Sequence, residues 1–123
     1  EEKEWVPIIR SRLPGAMLPE WDRKDDAPHL KGPLLVMALA ARMNAALAND
    51  SGVGHMLAVG GAPLVSLFTH HDPVKYGAEA RVLKTLHAQL DFGSATANAN
   101  DIPQAAVLAA LEKMIAEEMP LRS

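Results

Sequence analysis

The stretch ANDSGVGH, residues 48–55, decides how the rest of the chain is arranged. An acid, a hydroxyl, two glycines and a histidine follow a run rich in alanine, and such residues favour a turn over a helix interior. Downstream, PLVSLFT (63–69) has the continuous apolar pattern of a buried strand. A short helix at 52–60 then needs a preceding strand, which only NAALAN (44–49) supplies, although alanine is poor in strands.

The flanking segments continue the alternation of helices and strands. Helical patterns cover residues 1–13, 33–43 and 103–119, and further strand patterns cover residues 16–20 and 80–86. Strands that alternate with helices indicate an α/β fold with a parallel sheet and right-handed crossovers. We expect the strands at 45–49, 63–69 and 80–86 to be parallel neighbours.

Four predictions concern the ends and faces of the helices. Pro7 either kinks the first helix or marks the start of its regular part, because an interior proline costs ~3 kcal/mol. Apolar residues cover most of the helix at 33–43, so we expect that helix to be well buried. Asp101 is placed to cap the last helix. The apolar face of that helix is predicted at residues 107, 108, 111, 114 and 115.

Composition and charge narrow the class of protein. The chain has 123 residues, of which 49% are hydrophobic and 22% charged, and this suits one globular domain. A formal net charge of −3 gives no reason to expect nucleic acid as a partner. The absence of cysteine excludes disulfides and thiolate metal sites. The absence of cysteine also fits a cytoplasmic protein. No apolar run has the length of a transmembrane segment, and the acidic start does not resemble a signal peptide.

Asp50, Ser51 and Gly52 lie where ligands bind in α/β proteins, at the carboxyl end of a strand and the start of a helix. Helix N-termini offer free N–H groups to a phosphate, and His55 reaches the same space from the first turn. A carboxylate repels phosphate and suits sugar hydroxyls, so the set fits a nucleoside-diphosphate sugar. From spacing alone the alternatives are a simple N-cap, a tight turn at the glycines and a surface histidine.

The segment ANDSGVGHMLAVGGAPLVSLFTHHDPVKYG (48–77) resembles glycosyltransferase family 9, the enzymes related to lipopolysaccharide heptosyltransferases. That family carries Asp-Ser/Thr-Gly-x-x-His after a strand, then a short helix, an apolar strand and a Thr-Asp-Pro-like loop. The resemblance implies a Rossmann-like parallel sheet within the C-terminal, nucleotide-sugar-binding domain of a GT-B fold. It implies that an ADP-heptose-like donor is held, without any cofactor, by Asp50, Ser51, Gly52 and His55.

One loop departs from the family pattern. Residues 69–73 read Thr-His-His-Asp-Pro where the family usually has Gly-Pro-Thr-Asp-Pro, so the local contacts are expected to differ and the base and sugar of the donor stay open. The residues that we assign to this pocket loop are His70, His71, Asp72 and Tyr76. The paired histidines lack a third metal ligand at suitable spacing, and no metal site is predicted. His29 and His87 carry no pattern.

In the resembled family the acceptor and the catalytic base belong to an N-terminal domain. We therefore interpret residues 1–123 as a single, incomplete donor-binding domain without a catalytic residue of its own. The resemblance implies that residues 1–123 begin after the lysine-bearing phosphate loop and the first two strands of the family's donor domain. We expect this chain alone to bind the donor weakly or not at all, and to transfer no sugar to a saccharide or lipid-linked acceptor. We expect the parent enzyme to be cytoplasmic or peripheral at the inner membrane.

Two other readings stay open. A sugar-nucleotide epimerase shares the two-domain architecture, but such enzymes tend to carry acidic residues after Asp-Ser-Gly-Gly, where this chain has residues 53–56, Val-Gly-His-Met. The non-enzymatic alternative is a free-standing α/β module that binds a phosphorylated ligand or a protein. The parent reading frame separates the module from the transferase, because a transferase encodes about another domain and a half upstream, whereas a module would have its start codon just before Glu1.

Overall fold

The computed structural model describes residues 2–18 and 32–122, which belong to two compact units, Glu1–Lys31 and Gly32–Ser123. In the first unit, helix α1 spans Glu2–Arg12 with Pro7 inside it. The interpretation that the regular helix begins near Pro7 is therefore wrong. A proline this close to the N-terminus removes one backbone hydrogen bond, and the remaining bonds of the helix still form.

The chain after α1 also differs from prediction. Ala16 N donates to Leu13 O at 2.9 Å, which closes a turn, and residues 16–18 have no regular secondary structure. The strand predicted at 16–20 is wrong over these residues, because a turn takes the hydrogen bond that a sheet would need. Positions 19 and 20, and the predicted loop at 22–32 except for its last residue, lie outside the described residues.

The second unit is built on a three-stranded parallel sheet with the order β1-β2-β3. The strands are β1 Ala46–Asn49, β2 Leu64–Phe68 and β3 Leu83–His87. In the register, Leu64 of the central strand pairs with Ala46 on one side and with Leu83 on the other. The predicted α/β class and the parallel neighbours are confirmed, and the third strand begins at Leu83 rather than at residue 80.

Helices connect and cover these strands. They are α2 Pro33–Ala40, α3 Gly52–Val59, α4 Pro73–Tyr76, α5 Ala88–Phe92, a 3₁₀ turn Ala99–Asp101, and α6 Gln104–Arg122. Proline opens α2, as predicted, because its missing N–H has no partner at a helix start. Across residues 2–18 and 32–122, no helix combines the length and the apolar character needed to cross a lipid bilayer.

Two hydrophobic cores lie on opposite faces of the sheet. Adjacent residues of a strand point to opposite faces, and the neighbours Leu64 and Val65 are both fully buried. Leu64 packs with residues of α2, β1 and α3 in a cluster that includes Ala40, Ala48 and Leu57. Val65 packs with Leu86 of β3, Ala88 of α5, Met114 of α6, and Ile102, which follows the 3₁₀ turn. Helices on both faces of a parallel sheet give the layering expected of a Rossmann-like fold.

β1 consists largely of alanine because helix α3 packs directly on it. A Cβ atom on Gly54 would lie 3.6 Å from Asn49 O and 3.8 Å from Ala48 Cβ, so the helix backbone is already at van der Waals distance. Only small side chains fit between elements that approach this closely. Tertiary packing thus overrides the poor strand propensity of alanine, as the order of elements predicted.

The prediction that the helix at 33–43 is well buried is wrong. Ala40 is the buried residue of α2, and Leu34 is 55% exposed. The helix packs against α3 around Ala40, where a Cβ on Gly60 would come within 2.6 Å of the alanine Cβ. A helix that is apolar on all sides can be buried on all sides, but α2 is packed on one face only, so the rest of its apolar surface stays exposed.

The apolar face of α6 is rotated relative to the prediction. Met114 is buried, and Val107, Ala110 and Leu111 pack against the same core. This stripe follows the spacing i, i+3, i+4, i+7 from residue 107. The other predicted members of the face lie beside the stripe, and Leu108 and Ile115 are 57% and 37% exposed.

Asp101 does not cap α6. Its Oδ2 accepts a hydrogen bond from Ser94 Oγ at 2.6 Å. The N–H groups of Ala106 and Val107 in the first turn of α6 donate to Pro103 O instead. The carboxylate therefore fixes the loop between α5 and α6, where a short-range pairing with Ser94 competes with capping.

We predict that Gly60→Ala destabilises the protein, because the new Cβ would lie 2.6 Å from both Ala40 Cβ and Met37 O. α2 and α3 would have to separate, and overpacking of this kind costs about 1–3 kcal/mol. Urea denaturation gives the free energy of unfolding. Gly52→Ala at the start of α3 is the control, because its Cβ would meet only Met56 Cε, at 3.9 Å, whereas Gly60 is the C-cap of the same helix. Equal stability of the two variants would show that the helices are not in close contact.

Candidate functional site

The carboxyl ends of the three strands meet at one edge of the sheet. Asp50 follows β1, residues 69–71 follow β2, and His87 is the last residue of β3. A cavity of about 230 Å³ opens there, which we call the strand-end cavity. Its lining residues are Asn49, Asp50, Leu67, Thr69, His70, His71 and Ala99. The structure thus brings together three of the predicted site residues, Asp50, His70 and His71.

A short hydrogen bond joins two residues of the strand-end cavity. His71 Nδ1 donates to Asp50 Oδ2 at 2.5 Å. Asp50 is fixed through its backbone as well, because its N–H donates to Leu67 O at 2.8 Å. The Asp50 side chain is 19% exposed and that of His71 is 49% exposed, so water partly screens the pair. The carboxylate orients the imidazole and keeps lone pairs for further donors.

The N-terminus of α3 has no side-chain cap. Ser51 occupies the N-cap position in extended conformation, but its hydroxyl donates to Asn49 O at 3.3 Å. The carboxylate of Asp50 is bonded to His71 instead. Capping by Ser51 or Asp50, the simplest reading of the sequence, is therefore wrong for both residues. Gly52, the first residue of α3, is exposed, and a Cβ there would meet only Met56 Cε, at 3.9 Å.

His55 is exposed and lines a different cavity. That second cavity has a volume of about 400 Å³ and is formed by His55, Ala58, Val59, Gly77 and Glu79. The predicted donor set thus divides: Asp50 faces the strand-end cavity, while His55 lies one helical turn further along α3. A ligand at the start of α3 would have the Asp50 side chain on one side and the His55 side chain on the other.

The pocket loop combines two kinds of residue. His70 Nδ1 is hydrogen-bonded to Thr69 Oγ1 at 2.9 Å, and the His70 and His71 rings are 4.2 Å apart between centroids. Asp72 has a structural part, because its Oδ1 accepts from Val74 N at 3.0 Å and caps α4. The backbone of Tyr76 ends α4, and its side chain lies outside what the structure describes.

His87 was missed by the sequence analysis and is the most buried histidine of the site, at 3% exposure. Its Nδ1 accepts from Gln89 N and Leu90 N, both at 3.1 Å, and thereby caps α5. Its Nε2 donates to His71 O at 2.9 Å. A polar residue directly before a short helical run is a capping signal, but histidine ranks well below serine or aspartate among N-caps, so the signal is weak.

Two titratable side chains of the pocket loop have partners within the protein. His71 is bonded to Asp50 and Asp72 caps α4, so their polar atoms are engaged within the protein. Among the described residues, no group of three or more histidine, cysteine, aspartate or glutamate side chains is arranged to hold a metal ion.

Comparison with known proteins gives one match. The family model described as glycosyltransferase family 9 (heptosyltransferase) matches residues 34–101, more than half of the 123-residue chain. Neither the curated proteins nor the solved structures gave a match. The matched range runs from α2 to the end of the 3₁₀ turn, and includes all three strands and every predicted site residue.

We predict an energetic coupling between Asp50 and His71 in a double-mutant cycle of Asp50→Ala and His71→Ala. Water partly screens the pair, so we expect a coupling energy of about 0.2–1 kcal/mol. This energy is calculated from the free energies of unfolding of the wild type and the three variants, measured by urea denaturation. Asp50→Ala with His70→Ala is the control and should couple less, because the ring nitrogen of His70 is bonded to Thr69. Equal coupling in the two cycles would contradict the hydrogen bond to His71.

Proposed function

Because the chain belongs to glycosyltransferase family 9, we propose that its second unit binds the nucleoside-diphosphate sugar donor of an inverting sugar transfer. One observation carries this proposal: the N-terminus of α3 has no side-chain cap and begins at an exposed glycine beside the strand-end cavity. Ligands of open α/β folds bind at such strand ends.

We assign the diphosphate to the start of α3. The first N–H groups of a helix lack intrahelical partners, and the helix dipole adds partial positive charge there. At Gly52 no Cβ stands between these groups and an anion. Ser51 has an exposed hydroxyl that is bonded only weakly, at 3.3 Å, and it is free to turn toward a phosphate oxygen. His55 would contact the same group from the first turn of the helix.

We assign the sugar to the side of Asp50 and His71. Asp50 repels a phosphate but accepts hydrogen bonds from hydroxyl groups, and the His71 contact leaves it with acceptor capacity. The strand-end cavity, at about 230 Å³, has the volume of a sugar ring rather than of a whole nucleotide. The nucleoside therefore extends past the start of α3, on the side of the His55 cavity.

The transfer itself needs a base that takes the proton of the acceptor hydroxyl, within hydrogen-bond reach. Asp50 is poorly suited to this task, because it already accepts from His71 and lies beside the proposed diphosphate. We therefore assign no catalytic residue to this chain, and treat it as an incomplete donor-binding domain. An ADP-heptose-like donor, a saccharide or lipid-linked acceptor held by a second domain, and a cytoplasmic location belong to the same proposal and rest on the family resemblance.

We predict that Gly52→Val in the intact enzyme weakens binding of ADP-heptose at least about tenfold, because a branched side chain would stand between the diphosphate and the N–H groups of α3. Titration calorimetry measures the dissociation constant. The fold should persist, since a Cβ at residue 52 meets only Met56 Cε, at 3.9 Å.

Gly15→Val is the matched control. It adds the same side chain in the first unit, at a position where a Cβ has nothing within 4 Å. We expect this variant to bind ADP-heptose like the wild type. An unchanged dissociation constant in Gly52→Val would refute the placement of the diphosphate at α3.

A further inference from the structure

We propose that His87 is a positioning residue of the site, which holds the backbone of His71 so that the His71 imidazole stays against Asp50. The inference rests on the proposed function in so far as His71 faces the donor sugar. It assigns a task to a buried histidine that makes no contact in the donor arrangement described above.

The surroundings of His87 fix its ring tightly. It is 3% exposed and stacks on Phe68 of the neighbouring strand, with 6.3 Å between ring centroids and 10° between planes. The backbone N–H of His87 donates to Asp91 Oδ2 at 2.8 Å. A ring held on a strand end by stacking, by its backbone and by burial has little rotamer freedom left.

The two ring nitrogens of His87 have different tasks. Nδ1 accepts two backbone N–H groups, those of Gln89 and Leu90, so it carries no proton. Nε2 carries the proton and donates it to the carbonyl of His71, 16 residues earlier in the chain, at 2.9 Å. Capping α5 requires only Nδ1, so the hydrogen bond from Nε2 to His71 O serves a separate purpose.

The second bond matters because His71 is anchored at both ends. His87 holds the main-chain carbonyl of His71, and Asp50 holds its ring at 2.5 Å. A chain of hydrogen bonds therefore links residues at the ends of β3, β2 and β1. Without the bond from His87, the loop after β2 would lose the anchor that sets the distance between the His71 ring and Asp50.

Two substitutions separate the tasks of the two nitrogens. His87→Asn keeps an acceptor near the position of Nδ1 and removes the donor to His71 O, whereas His87→Gln places an amide N–H near the position of Nε2 and removes the cap. In the intact enzyme carrying each variant we would measure three quantities. These are the free energy of unfolding, the ¹⁵N chemical shifts of the His71 ring without ligand, and the dissociation constants of ADP-heptose and ADP.

For His87→Asn we expect near-normal stability, shifted His71 ring signals, and binding of ADP-heptose weakened about three- to tenfold with ADP little affected. ADP lacks the sugar that His71 faces. For His87→Gln we expect lower stability with His71 signals and ADP-heptose affinity close to those of the wild type. If His87 had only a structural role, the less stable variant would also show the larger shift of the His71 signals and the weaker binding of ADP-heptose. That variant would be His87→Gln, and this result would overturn the proposal.

The ring signals keep this test independent of the proposed function. If the wild type binds neither ADP-heptose nor ADP, the proposed function fails, and a shift of the His71 signals in His87→Asn alone still supports the positioning task. If the His71 signals of His87→Asn match those of the wild type, the positioning task is refuted whatever the nucleotide affinities are.

Discussion

The parallel direction of three strands is the constraint on which the rest of the second unit depends. Parallel strands end at the same edge of a sheet, so turns that are distant in sequence meet there. Asp50, His71 and His87 follow or end β1, β2 and β3, and their hydrogen bonds join the three strand ends. In an antiparallel arrangement the loop after β2 would lie at the opposite edge. The position of the strand-end cavity thus follows from the direction of the strands, whichever side chains line it.

Parallel strands need a crossover, and α3 fits because its closest approaches to β1 and α2 are made at glycines. Gly54 lies over Ala48 in β1, and Gly60, directly after the helix, leaves no space for a Cβ beside Ala40 in α2. Such approaches bury little apolar area, so α3 adds only Leu57 to the large buried side chains and most of the others come from elsewhere. Those with almost no exposure are Phe68, Leu64, Val65 and Pro63, all in β2 or directly before it. The loop that carries His71 therefore leaves the best-packed strand of the unit, which gives the site a rigid base.

The sequence predicts elements better than it predicts partners. The order of elements was sufficient to assign a strand of alanines, because no other segment could precede α3 in a parallel sheet. The partners of the site residues could not be read in this way. Asp50 and Ser51 look like caps of α3, yet Asp50 bonds to a residue 21 positions away. His87 has no sequence pattern because its distant partner is a backbone carbonyl, which is present at every residue and so leaves no trace in the sequence.

The contacts of the pocket loop distinguish the positions that depart from the family pattern from those that match it. Residue 71 is a histidine where the pattern has threonine, and a longer side chain with two rotatable bonds loses more freedom when it is ordered by a ligand. Hydrogen bonds with Asp50 and His87 already hold the ring and the backbone of His71, so a donor bound as we propose would have less of this side chain to order. Asp72, in contrast, matches the pattern, and its carboxylate caps α4 through Val74 N. The loop thus divides into a part that faces the cavity, where residue types differ from the pattern, and a capping part whose aspartate is required by the helix that follows.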